Sequence, residues 1–312
     1  MYRLVTRSDF DGLVCAMLLK QLDLIDDITF VHPKDVQDGS VAITAADITT
    51  NLPYRPEAHL VFDHHSSEAR RNGSTPTNYV IDAEAPSAAR VVYDYYGGAA
   101  RFPMVSDELM RAVDQADSAD YVIADILDPQ GWVLLNFLMD PRTGLGRFHD
   151  FGVANYELMM ELIDYCLAHP VDEVLRLADV AERVILYRRQ SALFHEQLRR
   201  CTRVVGEVAV VDLRAEEIIY AGNRFMIYAI HPEASVSIHV LWGRQKQNTV
   251  LAVGKSILNR SNQVDIGAVM LDGYGGGGHR NAGTCQVAHE DSERALTEII
   301  AALSTAPVPS AA

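Results

Sequence analysis

The stretch LVTRSDFDGLVCAMLLKQLDL, residues 4–24, decides the fold of the N-terminal half. Residues 4–6 are apolar or β-branched and read as the end of a strand. Asp9 and Asp11 follow in a loop, Gly12 opens the next segment, and residues 13–24 form an apolar-rich helix. Strand, acidic loop and buried helix make the first half of a βαβ unit. Working outward, residues 28–31, 41–45, 60–62 and 79–81 read as further short strands. Residues 87–96 have helical spacing, with a Ser near the start and Gly97-Gly98 as the stop. Strands alternating with helices predict an α/β fold built on a parallel sheet.

The remainder changes character twice. Residues 107–200 are mostly helical in period, with 155–168 and 171–200 separated by His169-Pro170. Residues 182–203 are rich in arginine and read as a solvated helix or interdomain linker rather than a nucleic-acid patch. From Val204 the pattern returns to β, at 208–212, 236–242 and 249–253. Residues 292–303 read as a closing helix and 304–312 as a disordered tail. The expected organisation is an N-terminal parallel-sheet domain at 1–180, a helical linker at 181–203 and a smaller α/β domain at 204–303.

Composition narrows the function. The 312 residues carry 27 Lys and Arg against 42 Asp and Glu, a net charge of −15. That balance argues against a protein that coats duplex nucleic acid, which needs a broad basic face. A small phosphorylated ligand needs only a few cations and stays open. The four cysteines, Cys15, Cys166, Cys201 and Cys285, have no CxxC spacing, so a reducing compartment and a cytoplasmic location are expected. The first residues lack the apolar core of a signal peptide, and no apolar run approaches the roughly 18 residues of a membrane span, so no membrane partner is expected.

The positions of the acids are more telling than their number. Asp9 and Asp11 follow the first strand, Asp47 follows the strand expected at 41–45, and Asp63-His64-His65 follow residues 60–62. An open parallel sheet binds ligands outside the carboxyl ends of its strands. Carboxylates crowded there repel one another unless a cation or raised pKa values relieve them. Asp and His without thiolate suit Mn²⁺ or Mg²⁺. A bridging Asp between two ions would clamp a phosphoryl group and acidify water for phosphoester hydrolysis. Near the other end, the glycines Gly275, Gly276, Gly277 and Gly278 expose backbone N–H groups to a phosphate, and His279 and Arg280 could add charge-assisted bonds.

The ordered set DFDG (9–12), AAD (45–47), DHH (63–65), ADS (116–118) and GGGGHRNAG (275–283) resembles the DHH phosphoesterase superfamily with its associated C-terminal domain. RecJ-like nucleases, nanoRNA and bisphosphate-nucleotide phosphatases, family II pyrophosphatases and exopolyphosphatase-like proteins belong to it. The resemblance implies a metal-binding catalytic domain followed by a substrate-binding one. It implies Asp9 on a first ion, Asp11 on a second, Asp47 between them, and His64 and Asp117 completing the second site. Asp114 and Asp120 compete with Asp117 for the fourth motif. His65 would face the scissile phosphate with Asp63 orienting its neighbours. Gly276, Gly277, Gly278, His279, Arg280, Lys255 and Ser256 would contact substrate, while Arg260 and Arg224 read as surface charges.

Two departures stand out. The family's first motif opens on a His that helps hold the first ion, whereas this chain has Arg7, and a guanidinium cannot ligate a cation. The first ion is then weak, absent or replaced electrostatically by Arg7, which would also meet the substrate's phosphate. After the GGGH the chain reads Ala282-Gly283-Thr284 where members often have AAG or ASG. The implied activity is hydrolysis, with one or two Mn²⁺ or Mg²⁺ ions, of a short single-stranded oligoribonucleotide or a bisphosphate nucleotide. The alternatives are a polyphosphatase or pyrophosphatase, and a nucleotide-binding protein with weakened catalysis.

Overall fold

The structure, a computed structural model, describes residues 1–65 and 76–304. The tail expected beyond Ser304 lies outside the described residues. The chain divides into two compact units, residues 1–120 with 129–187, and residues 121–128 with 188–312. The boundary falls inside a long helix, and a short segment near residue 125 sits with the second unit.

The first unit is built on five strands, β1 (Tyr2–Arg7), β2 (Ile25–Val31), β3 (Asp47–Thr50), β4 (Leu60–Asp63) and β5 (Tyr79–Ile81), in the order β2-β1-β3-β4-β5. Every pairing is parallel, as the alternation of strands and helices requires. The helices of this stretch are α1 (Phe10–Gln21), α2 (Pro33–Gln37), α3 (Ala88–Tyr95), α4 (Asp107–Ser118), α5 (Ile123–Leu127, in the second unit), α6 (Gly131–Met139) and α7 (Asn155–Ala168). The helical stretch expected over 171–200 is interrupted, giving α8 (Val171–Val174) and α9 (Ala178–Cys201).

Helix α1 is buried along its whole length from Phe10 to Leu19, which explains why its apolar residues show no one-sided stripe. It packs against α3 and α7 in a core that includes Leu13, Phe62, Val92 and Leu162. Truncating Leu13 to Ala would cost about 2–5 kcal/mol in such a setting. Gly12 is dictated by this packing. A Cβ there would meet the Arg7 carbonyl oxygen at 2.0 Å and Thr6 Oγ1 at 2.9 Å. Its absence lets the first turn of α1 lie against the end of β1, with Asp9 and Asp11 on either side of Phe10.

The third strand differs from expectation. Residues 41–45 form no strand; β3 starts at Asp47, and its residues Ile48, Thr49 and Thr50 pair with both neighbours. The reason is tertiary. Asp47 lies opposite Arg3 at the start of β1 and forms an ion pair with it at 2.7 Å, while Thr44 N and Oγ1 donate to the same carboxylate at 2.7 and 3.0 Å. An acidic residue thus opens the strand instead of following it.

The second unit carries a mixed six-stranded sheet in the order β10-β11-β9-β8-β7-β6. Its elements are β6 (Thr202–Val205), β7 (Val208–Asp212), α10 (Met226–Ile230), β8 (Val236–Trp242), β9 (Thr249–Lys255), α11 (Ile266–Tyr274), β10 (Gly277–His279), β11 (Ala282–Val287) and α12 (Ser292–Ser304). Strands β7 and β8 are parallel and the other pairs antiparallel. Its separate core includes Val210, Ile238, Leu251 and Ile299.

Candidate metal centre

Two neighbouring acids in the loop after β1 have different partners. Asp9 caps α1, accepting from Gly12 N at 3.0 Å through Oδ1, while Oδ2 meets Arg7 Nε at 2.9 Å. Asp11 sits at the N-terminus of α3 and accepts from Ala88 N at 3.1 Å and Ala89 N at 2.7 Å. Both are buried, and burial raises both pKa values; Arg7 opposes the rise at Asp9, whereas the Asp117 carboxylate adds to it at Asp11. Asp11 is therefore the acid without an arginine partner, and the His64 imidazole is the group that opposes its rise.

Its neighbours supply the rest of a ligand set. Ligand atoms of Asp11, His64 and Asp117 all lie within 4.8 Å of one another. His64 leaves the end of β4, with Nδ1 3.2 Å from the Ala85 carbonyl oxygen and Nε2 2.8 Å from Asp117 Oδ2. That second contact is short, yet it does not have hydrogen-bond geometry, so Nε2 is a buried nitrogen without a satisfied partner. Burial would lower the His64 pKa, but the Asp117 and Asp11 carboxylates outweigh it and raise it to about 9. Burial would likewise raise Asp117, and contact with His64 instead holds it below the usual carboxylate range.

An unsatisfied imidazole nitrogen beside a buried and a part-buried carboxylate fits a divalent ion. The ambiguity within the fourth motif is resolved by partners. Asp114 is taken up by Ser87 Oγ at 2.8 Å and by Arg90 at 2.5 Å, and Asp120 is exposed.

Asp63 and His65 form a second arrangement beside this one. Asp63 is fully buried; its Oδ1 accepts from His64 N and His65 N and lies 2.7 Å from His65 Nδ1, while Oδ2 accepts from Tyr79 Oη at 3.0 Å. The carboxylate thereby fixes the imidazole so that Nε2 is the nitrogen left for other chemistry.

Asp47 is not at this edge. It stands at the amino end of β3, paired with Arg3, and the expectation that it bridges two ions is corrected by the register. The residue that β3 delivers to its carboxyl end is Asn51, in register with Arg7 and Asp63 one step beyond the pairs Thr6–Thr50 and Thr50–Phe62. Asn51 is 1% exposed, has φ of +55°, and neither amide atom has a partner. Such a group costs about 1–3 kcal/mol unless something satisfies it. Arg142 is a further group that sequence reasoning missed. It lies in the turn after α6, donates to Asp140 at 2.7 Å, and Asp9 and Asp117 are among the charges that raise its pKa against the effect of burial.

The C-terminal motif belongs to the second unit. Gly277–His279 form the short strand β10, and two glycines are demanded by its pairing with β11. A Cβ at Gly276 would meet Thr284 O at 2.4 Å, and one at Gly278, where φ is +154°, would meet Ala282 O at 2.3 Å. Close strand approach therefore accounts for Gly276 and Gly278, while Gly277 has open space around it. His279 and Arg280 are exposed, and the Arg280 charge helps burial lower the Lys255 pKa. Ser256 is buried, its Oγ accepting from Leu258 N and Asn259 N at 3.2 and 2.9 Å, so that hydroxyl holds a turn. Arg224 lies over the Phe225 ring and Arg260 bonds to Ile257 O.

The pGpG-specific phosphodiesterase PggH from Vibrio cholerae is 56% identical, with a TM-score of 0.86 over 97% of this chain and 99% of that one. This chain belongs to the DHH superfamily of phosphoesterases. Two remoter members share only its fold. An exopolyphosphatase-related protein from Bacteroides fragilis is 12% identical, with a TM-score of 0.52 over 97% of this chain and 92% of that one. RecJ from Thermus thermophilus, solved with Mn²⁺, is 15% identical, with a TM-score of 0.50 over 98% of this chain and 53% of that one. No family model and no curated protein matches the chain. Among the described residues no helix of this DHH phosphoesterase is long and apolar enough to cross a membrane.

Proposed function

We propose that this phosphoesterase hydrolyses a 5′-phosphorylated diribonucleotide of the pGpG kind, using one divalent ion, Mn²⁺ or Mg²⁺. The observation that carries the reading is the trio of buried Asp11 with part-buried His64 and Asp117, in a chain 56% identical to a pGpG-specific phosphodiesterase over nearly the full length of both. Asp11, His64 and Asp117 would hold the ion, and Asn51 could offer its amide oxygen as a neutral fourth group. When bound there, such an ion would supply charge for the phosphoryl oxygens and a lowered pKa for water.

The other half of the edge works without metal. Arg7, aimed by Asp9, takes the place of a second ion and binds a phosphoryl oxygen as the chain's own fixed cation. Arg142 adds a second guanidinium. His65, held by Asp63, turns Nε2 toward the departing oxygen and gives it a proton. Within the second unit, Lys255, His279 and Arg280 are the candidate phosphate contacts. A net charge of −15 favours a short substrate, because repulsion grows with substrate charge while one site's attraction does not.

The test is Mn²⁺-dependent cleavage of pGpG beside pApA, a longer oligoribonucleotide and polyphosphate. Cleavage of pGpG well ahead of the other three is expected. Turnover of polyphosphate alone would overturn the nucleotide reading.

A further inference from the structure

The first unit holds a cavity of about 820 Å³ that the ion chemistry does not use. It is lined from the carboxyl ends of β1 and β2 and from α2, α6 and α7. Its volume is in the range of small-molecule sites, roughly 300–1,000 Å³. Much of the wall is apolar, including Leu138 and Met139 of α6 and Met159 of α7. Three arginines also line it: Arg183, which is tied to Asn155 Oδ1 and the Val153 carbonyl oxygen, and the pair Arg7 and Arg142. Arg7 is the residue paired with Asp9 at 2.9 Å, and Asp9 is two residues from Asp11, so this part of the cavity adjoins the metal centre. Asp35 contributes a carboxylate that makes no hydrogen bond among the described residues.

These parts select a ligand. A bare phosphate or polyphosphate would gain nothing from the apolar wall and would be repelled by Asp35. A planar heterocycle joined to a phosphate uses all three features: the wall covers the ring faces, and the guanidinium groups meet the phosphate beside the ion. The carboxylate distinguishes among bases. Ionised Asp is an acceptor only, with two oxygens side by side. Guanine presents two adjacent donors, N1–H and the N2 amino group, whereas adenine places an acceptor at N1.

We propose that this cavity is the base-specificity pocket of the enzyme, in which a guanine lies against α6 and α7, Asp35 reads its N1–H and N2 amino edge, and Arg7 and Arg142 hold the attached phosphate beside the metal centre. The proposal deepens the diribonucleotide reading and rests on it for the place of the phosphate.

The test is calorimetric titration of the full chain, loaded with Mn²⁺, with GMP and AMP. Wild type binds GMP about tenfold or more tightly than AMP, as a charge-assisted pair of hydrogen bonds requires. Asp35→Ala weakens GMP by about ten- to a hundredfold and leaves AMP where it was. Met139→Trp, which fills the cavity, weakens both nucleotides about tenfold or more, and an unaltered Mn²⁺ affinity shows that the fold and the ion site are intact. Equal binding of GMP and AMP by wild type, or wild-type nucleotide binding by Met139→Trp, overturns the proposal. The readout is mononucleotide binding, not turnover, so the two readings fail separately. Cleavage of pGpG without a GMP preference removes the pocket alone; a GMP preference without cleavage removes the hydrolytic reading alone.

Discussion

Asp9 and Asp11 are two residues apart, both buried and both at a helix N-terminus, yet they serve opposite arrangements. Asp9 is partnered inside the protein, by the Gly12 N–H of α1 and by Arg7. Asp11 receives only backbone N–H groups and faces a second carboxylate, Asp117, and an imidazole nitrogen with no satisfied partner. One half of the sheet edge has an arginine paired with its acid; the other half gathers three groups that could hold a metal ion. Composition cannot make this distinction, because it depends on the partner each acid meets, Arg7 for Asp9 and the first N–H groups of α3 for Asp11.

The contrast sets a ranking of mutational effects. His64→Ala, in the half that gathers the three groups, is expected to lower Mn²⁺ affinity and turnover each by about a hundredfold or more, since even groups behind metal ligands are worth 10–100-fold. Calorimetry and steady-state kinetics check this, and wild-type Mn²⁺ affinity in the variant would break the comparison. Asp9→Asn, in the half with the paired arginine, is milder. Asn still caps α1, so folding is retained, but Arg7 loses its anchor. KM is expected to rise about tenfold with Mn²⁺ affinity unchanged, reflecting one displaced charge-assisted contact. A fall in Mn²⁺ affinity to the level of His64→Ala would place Asp9 among the ion's ligands instead.

Asp47→Ala is expected to show the smallest functional effect. Its carboxylate is buried, and losing it removes the Arg3 pair and both Thr44 bonds at the far end of β3. About 1–3 kcal/mol of stability should be lost in urea unfolding, with Mn²⁺ affinity at the wild-type value. Loss of Mn²⁺ binding in that variant would return Asp47 to the metal centre and overturn the register described above.

These outcomes also mark how far the sequence could be read. Asp11, His64 and Asp117 were legible because motif order carries across a parallel sheet: each follows an apolar run or sits in a recognisable triplet. The parallel sheet was legible for the same reason, through the alternation of strands and helices. Asp47 misled because residues 41–45 are as β-prone as Asp47–Thr50, and only the Arg3 pair across β1 decides between them. Misplacing β3 by its length also hid Asn51, whose position follows only from the correct register. Arg142 reaches the site from a turn far downstream, and nothing local in its surroundings announces that. The glycines near the C-terminus invited a phosphate cradle, while the backbone spacing of β10 and β11 already requires two of them.

The central claim is that this edge holds one divalent ion and one fixed guanidinium in place of two ions. Mn²⁺ titration of wild type beside the double variant Arg7→His/Asn51→Asp, followed by calorimetry and by electron paramagnetic resonance, tests it most directly. One ion per wild-type chain is expected, with an uncoupled Mn²⁺ signal, and a second, spin-coupled ion only in the double variant. Two coupled ions in the wild-type protein would contradict the account.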